Sequence, residues 1–121
     1  MANTIQVTKC DNELIILAFQ EGVSYELCRI LSGNNLPVSV SISIVADTYA
    51  GTQVFNGVNN ALNVNTIISL PKGKYSLLLV GIDWGSLQQF NVNVNGTIYD
   101  LGPSTTGEGT VWCPGPIAFA V

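Results

Sequence analysis

The sequence contains no histidine and little charge, with four basic and eight acidic side chains among 121 residues. The absence of histidine excludes the Ser-His-Asp and Cys-His arrangements of nucleophilic catalysis, histidine general bases and imidazole metal sites. The carboxylates are spread along the chain, and their spacing marks no two of them as a catalytic pair. These absences predict a protein that is not an enzyme.

Basic residues are too few and too scattered for nucleic-acid binding. Lys9, Arg29, Lys72 and Lys74 stand against eight acids, which gives a net charge of -4. Proteins that bind DNA or RNA normally carry a clustered basic surface that neutralises several phosphates. We therefore expect no nucleic-acid partner.

Long hydrophobic runs are also missing. A membrane-spanning helix needs about 18 to 20 consecutive apolar residues, whereas the longest runs here, Leu14–Phe19 and Leu77–Ile82, have the length of strands. The first six residues contain neither the basic start nor the apolar segment of a secretory signal. The sequence as given predicts a cytoplasmic protein with no transmembrane segment, and it leaves open export by a route without a signal peptide.

The three cysteines have wide and irregular spacing. Cys10, Cys28 and Cys113 form neither a CxxC motif nor a zinc pattern. The chain also lacks a calcium-binding loop and a glycine-rich phosphate loop, so no metal and no cofactor are expected. We interpret the thiols as small apolar groups, with a Cys10–Cys28 disulfide as the alternative if the protein is exported.

Alternation of apolar and polar residues recurs along the chain and indicates β-strands. Residues 37–46 are the clearest case. Aliphatic residues lie on one side, Val38, Val40, Ile42 and Ile44, and three serines and a valine lie on the other, Ser39, Ser41, Ser43 and Val45. One face of this strand is expected to enter the core. The other face is expected to meet water or a partner.

A hairpin and a central strand are predicted in the second half. The alternating range Phe90–Val94 leads into Asn95-Gly96, two residues that tolerate the positive φ of a tight hairpin turn, and then into residues 97–101. The nearly continuous apolar range Tyr75–Ile82 predicts a central strand that is buried on both faces.

The remaining segments complete an all-β domain that covers residues 1–121. Further strands are expected in five ranges bounded by Gly, Asn, Pro or Asp, with a short one near residues 53–55: 4–9, 13–19, 25–31, 62–70 and 117–121. Residues 47–61 and 102–109 are predicted to be long loops. Seven to nine strands predict a two-layer antiparallel β-sandwich, jelly-roll or immunoglobulin-like, with a small barrel as the alternative.

Two tryptophans give the positive indication of a binding site. Trp84 follows the central strand in a polar loop, residues 82–86, and Trp112 lies near the chain end. An aromatic ring that stacks on a sugar, with neighbouring polar side chains that bond its hydroxyls, is a common carbohydrate site on β-scaffolds. The predicted ligand-binding residues are Asp83, Trp84, Gln88 and Trp112. The alternative is that each tryptophan fills an end of the core.

These observations favour a non-catalytic binding module, lectin-like, that recognises a small neutral ligand such as a sugar through its loops. The alternative is a structural protein that forms a homo-oligomer through uncharged strand faces, such as the serines of residues 39–43 and Asn91 with Asn93. A membrane-active β protein, in which residues 38–45 and 62–70 rearrange into an amphipathic hairpin, ranks below both.

Overall fold

The computed structural model describes residues 3–33, 36–85, 88–104 and 109–121. These residues form eleven β-strands in two sheets that pack against each other without closing into a barrel. The predicted β-sandwich is therefore confirmed. In the part of the chain that is described, no helix is long and apolar enough to cross a membrane.

Sheet A contains five strands, numbered in chain order: β1 (Asn3–Asp11), β4 (Val38–Ala46), β6 (Leu62–Leu70), β8 (Gln88–Val94) and β9 (Thr97–Ser104). Their order across the sheet is β6-β4-β1-β8-β9. Strands β1 and β4 are antiparallel, as are β1 and β8, and β8 and β9. The pair β4 and β6 is parallel.

Sheet B contains the other six strands: β2 (Glu13–Gln20), β3 (Val23–Ser32), β5 (Gln53–Gly57), β7 (Lys74–Asp83), β10 (Gly109–Trp112) and β11 (Ile117–Ala120). Their order is β10-β7-β2-β3-β5, and β11 also pairs with β7. Only the pair β3 and β5 is parallel among the described pairs of this sheet. Both parallel pairs lie at sheet edges, so the two sheets are mixed and not purely antiparallel as predicted. The alternation of residues indicates strands but contains no information on their direction.

The core lies between the sheets and is built by the residues that the alternation predicted. Val38, Val40, Ile42 and Ile44 of β4 are all buried, as are the apolar residues of β8. Their polar neighbours along each strand are only partly buried because they point to the outer face. Because successive side chains of a strand point to opposite faces, a strand with one face in the core buries every second side chain.

The predicted hairpin is confirmed in its detail. Asn95 (φ 51°) and Gly96 (φ 92°) form the turn between β8 and β9, and Val94 faces Thr97 across it. The Gly96 N–H donates a hydrogen bond of 2.8 Å to Asn93 Oδ1. Both turn residues have the positive φ that a two-residue hairpin loop demands.

Strand β7 is central, as predicted, because it pairs with β2 on one edge and with β10 and β11 on the other. The prediction that it is buried on both faces is wrong. Leu77 and Leu79 lie in the core, whereas Leu78, Val80 and Ile82 point to the outer face and are only half-buried. The run is continuously apolar because the outer face of sheet B is itself apolar.

Strand β10 was not predicted, since residues 109–112 follow a segment rich in Gly, Ser and Thr. The loop predicted over residues 102–109 is wrong at both ends, because residues 102–104 belong to β9 and Gly109 begins β10. Residues 105–108 of that range lie outside the described residues. The loop predicted over residues 47–61 contains β5, which extends two residues beyond the short strand that was expected.

Gln53 of β5 joins the two sheets. Its Oε1 accepts a hydrogen bond of 2.8 Å from Thr66 Oγ1 of β6, and its Nε2 donates one of 3.1 Å to Ile67 O of the same strand.

Candidate functional site

Asp83 and Gln88, two of the predicted ligand-binding residues, face the interior at one end of the sandwich. Asp83 ends β7 and is 1% exposed, and Gln88 begins β8 and is 6% exposed. Among the described residues, neither the two carboxylate oxygens of Asp83 nor Oε1 of Gln88 has a hydrogen-bond partner. Three acceptor atoms are therefore buried without a donor, which is unusual in a folded protein.

Trp112 is partly buried and packs against the core. Its ring stacks on Phe90 of the opposite sheet, with centroids 5.3 Å apart and planes 9° from parallel. Gly81 makes room for this pair, since a Cβ at that position would lie 2.9 Å from ring carbons of Phe90. This contact is part of the core, which is the alternative that the sequence left open for Trp112.

Trp84 lies on the other side of sheet B. Trp84 is 47% exposed, and its Nε1 donates a hydrogen bond of 3.4 Å to Glu13 Oε1. Glu13 faces Ile82 on the outer face of the sheet, so the Trp84 ring stands beside that face. The four predicted residues thus do not converge on one surface, and Ser86 of the same loop lies outside the described residues. Ligand binding by these four residues stays a prediction.

Asn12 holds this end of the sandwich together and was missed by sequence reasoning. It is buried between β1 and β2, and its Oδ1 accepts a hydrogen bond of 3.0 Å from the Trp84 N–H. Its Nδ2 donates to Ser32 O at 3.3 Å, and its backbone N–H donates to Ile82 O at 2.9 Å. A single Asn between two strands resembles an ordinary turn residue in sequence, which gave no signal of this role.

The outer face of sheet A brings together polar residues from three strands. Gln6 of β1 lies between Ser41 of β4 and Asn93 of β8, and Thr4 lies beside Ser43. These five residues line a shallow groove of about 430 Å³. The outward serines and Asn93 were predicted from alternation, whereas the position of Gln6 between them depends on pairing over long distances in sequence.

Most polar groups in this groove are not used inside the protein. Asn93 Oδ1 accepts the Gly96 N–H, which leaves the Asn93 NH₂ group available. The side chains of Gln6, Ser41 and Ser43 make no hydrogen bond with the residues that the structure describes. Amide and hydroxyl groups can each donate and accept, so the groove offers both functions to a ligand.

The groove itself carries no charge among its described residues. Lys9 and Asp100 are charged residues on the same side of the sheet, and both flank Asn91, the next outward residue along β8 from Asn93. Ile98 of β9 lies beside Asn93 and is 60% exposed, so an apolar side chain stands next to the polar groove.

The cysteines offer little chemistry. All three are free, and Cys10 and Cys28 are buried whereas Cys113 is exposed. Burial, followed by the nearby Glu26 charge, raises the pKa of Cys28 to about 12. Burial also raises the pKa of Cys10, with smaller contributions from Asp11 and Glu13. Both buried thiols stay protonated at neutral pH and are therefore poor nucleophiles and metal ligands.

Among the residues that the structure describes, no three His, Cys, Asp or Glu side chains lie close enough to hold a metal ion. No protein-family model, curated protein or solved structure matches the chain. The function is therefore inferred from the chemistry of its own residues.

Proposed function

We propose that the protein is a non-catalytic binding module whose ligand is a neutral polyhydroxylated molecule, such as a carbohydrate, held in the groove of sheet A. The observation that carries this proposal is the uncharged lining of the groove by hydroxyl and amide groups, most of which have no partner within the described chain. The proposal keeps the ligand class predicted from sequence and moves the site from the loop to the strand face.

The chemistry of the groove selects among ligand classes. A charged ligand would lose hydration without gaining an opposite charge in the groove, and an apolar ligand would cover polar groups that need hydrogen bonds. Sugar hydroxyls donate and accept, as do Gln6, Ser41 and Asn93. Exposed Ile98 supports the proposal because it can cover the apolar C–H face of a sugar ring.

The size and shape of the groove set the expected affinity. Its volume of about 430 Å³ falls within the range of about 300 to 1,000 Å³ that is usual for small-ligand sites. The groove is open and neighbours hold few of its groups rigidly, so binding must order both the ligand and the side chains. The entropy lost in this ordering cancels much of the free energy gained from the hydrogen bonds, and the affinity is therefore weak. We expect dissociation constants of roughly 0.1 to 10 mM for a mono- or disaccharide.

Titration of isotope-labelled protein with a panel of neutral sugars, followed by NMR, tests the proposal. Amide shifts are expected around residues 4–6, 41–43 and 93–96. Gln6→Ala and Ser41→Ala should each weaken binding by roughly 3- to 10-fold, the worth of one hydrogen bond. Ser76→Ala makes the same kind of change on the outer face of sheet B and should have no effect.

Two results would contradict this proposal. One is a panel in which no neutral sugar shifts any resonance at concentrations of tens of millimolar. The other is binding that shifts the amides around Asp83, Trp84 and Gln88 and is insensitive to Gln6→Ala, which would support the loop site predicted from sequence instead.

A further inference from the structure

The outer face of sheet B is apolar, in contrast to that of sheet A. Six of its residues are half-buried aliphatic side chains contributed by three strands: Ile15, Leu17, Leu31, Leu78, Val80 and Ile82. Phe19 and Val54 stand at the margins, 38% and 58% exposed. Sheets with one face in the core normally alternate apolar inward and polar outward. Strands β2 and β7 break this rule.

The apolar residues form one continuous patch. Ile15 lies between Arg29 of β3 and Val80 of β7, and Leu17 lies opposite Leu78 in the next row. All eleven described strands belong to the two sheets, and none of them lies over this face. A contiguous apolar patch on a soluble protein usually marks an interaction site.

From this face we infer that the protein associates with a second copy of itself through the outer face of sheet B. A pair related by a two-fold axis brings the same patch together from both copies, so the patch must be complementary to itself. The contact is proposed in addition to ligand binding on sheet A and does not depend on it.

The charges on the face suit contact between identical copies. Arg29 lies between two carboxylates, with Nε 2.6 Å from Glu26 Oε1 and Nη1 3.6 Å from Glu13 Oε2. The patch therefore contains both signs of charge close together. A copy rotated by two-fold symmetry can place its carboxylates near the Arg29 of the other copy, whereas a face with one sign would repel itself.

The dimensions of the face predict a reversible dimer. Residues 13 to 19 of β2 span about 20 Å and the five strand positions from β5 to β10 span about 19 Å, a flat area of roughly 400 Å². A standard interface removes about 800 Å² of accessible surface from each partner. Because side chains protrude from the sheet and the Trp84 indole stands beside it, each copy would bury more accessible surface than this flat area. The buried surface still falls at the small end of the standard range. We expect a dissociation constant of roughly 1 to 100 µM.

Sedimentation equilibrium from about 1 µM to 1 mM protein tests the inference, and the range spans the expected constant. The mass should rise from that of one chain, 12.9 kDa, toward twice that value. Leu17→Lys puts two unpaired cations into the contact and should weaken association at least about 30-fold. Ser39→Lys is the matched control, because it adds the same side chain at a half-buried outward position of sheet A, and it should not change the association.

A gentler variant guards against misfolding of Leu17→Lys. Phe19→Ser combined with Val54→Ser removes two exposed apolar side chains at the margins of the face without touching the core. Circular dichroism should match that of the wild type, and association should weaken by roughly 10-fold, as expected for loss of buried apolar area.

Three outcomes would overturn the inference. The first is a wild-type protein that remains one chain in mass across the whole concentration range. The second is a dimer that Ser39→Lys dissociates while Leu17→Lys and the double serine variant leave it intact. The third is a single-chain species that floats with neutral phosphatidylcholine vesicles, which would assign the apolar face to lipid.

Discussion

Replacement of Asp83 by asparagine is expected to stabilise the protein. Asp83 is 1% exposed, and neither of its carboxylate oxygens has a hydrogen-bond partner in the part of the chain that the structure describes. A buried polar group without a partner costs about 1 to 3 kcal/mol, and a buried charge costs more. Asparagine keeps the shape of the side chain, removes the charge and adds an NH₂ donor. Gln88 Oε1, at the same end of the interior, is an acceptor with no donor among the described residues.

The expected gain in the free energy of unfolding is about 1 to 3 kcal/mol at pH 7. For a chain of 121 residues, an unfolding entropy of about 2.1 cal/mol/K per residue makes 1 kcal/mol equivalent to about 4 °C in Tm. Thermal and urea unfolding, followed by circular dichroism, should therefore show a Tm higher by about 4 to 12 °C and an unchanged urea m-value.

Asp100→Asn is the matched control because it makes the same chemical change at an exposed position of β9. Its effect on stability should stay within about 0.5 kcal/mol. A loss of more than about 1 kcal/mol in Asp83→Asn, with Asp100→Asn neutral, would refute the reasoning. Such a result would mean that the Asp83 carboxylate accepts a stabilising hydrogen bond or binds a cation in solution.

Gly81→Ala should lower stability by about 1 to 3 kcal/mol in urea unfolding, because its Cβ would overlap the Phe90 ring. Gly102→Ala, with open space at its Cβ, should change stability by under about 0.5 kcal/mol, and equal effects would refute the packing argument. In thiol titration with DTNB near pH 8, exposed Cys113 should give the fast phase, and a fast phase that survives Cys113→Ser would contradict this. Since burial raises the pKa of Cys28 from near 9.0 to about 12, the unfolded chain releases this proton first, and stability should fall as the pH rises from about 9 toward 12. Cys28→Ala should reduce that fall by up to about 1.4 kcal/mol per pH unit, measured by urea unfolding, and an unchanged slope would count against burial of this thiol.

The strands could be predicted from sequence because their signals are local. In β4 and β8 every second residue is apolar, and this period needs no knowledge of neighbouring strands. The turn at Asn95 and Gly96 is equally local, since its dihedral angles favour these two residue types. Strand β10 was missed because its four residues begin with Gly109 and Thr110, which continue the preceding segment rich in Gly, Ser and Thr.

The neighbours of each strand could not be predicted, because they depend on contacts between distant residues. Gln6 meets Ser41 and Asn93 only because β1 lies between β4 and β8. Residue periodicity contains no information on this order or on the parallel direction of β6 beside β4. The groove of sheet A therefore has no signature in the sequence, although several of its residues were predicted to point outward.

The predicted ligand site illustrates a different limit. Asp83 and Trp84 are adjacent in sequence, and a loop containing both suggested that their side chains act together. Asp83 instead ends β7, and successive side chains at a strand point to opposite faces of the sheet. Asp83 consequently faces the core while the Trp84 indole reaches Glu13 on the outer face. The position of the strand end decides this, and strand ends are the part of a strand that sequence defines least well.

The two proposed surfaces lie on opposite sides of the sandwich, and this arrangement links them. If two copies associate through sheet B, both sheet A faces point outward, away from each other. A dimer would then present two uncharged grooves, each with weak affinity for a single sugar. A surface that carries many copies of the ligand could engage both grooves at once, because the second contact forms at the high effective concentration set by the first. Binding to such a surface should therefore weaken sharply in Leu17→Lys, while binding of a free monosaccharide to each groove should stay unchanged.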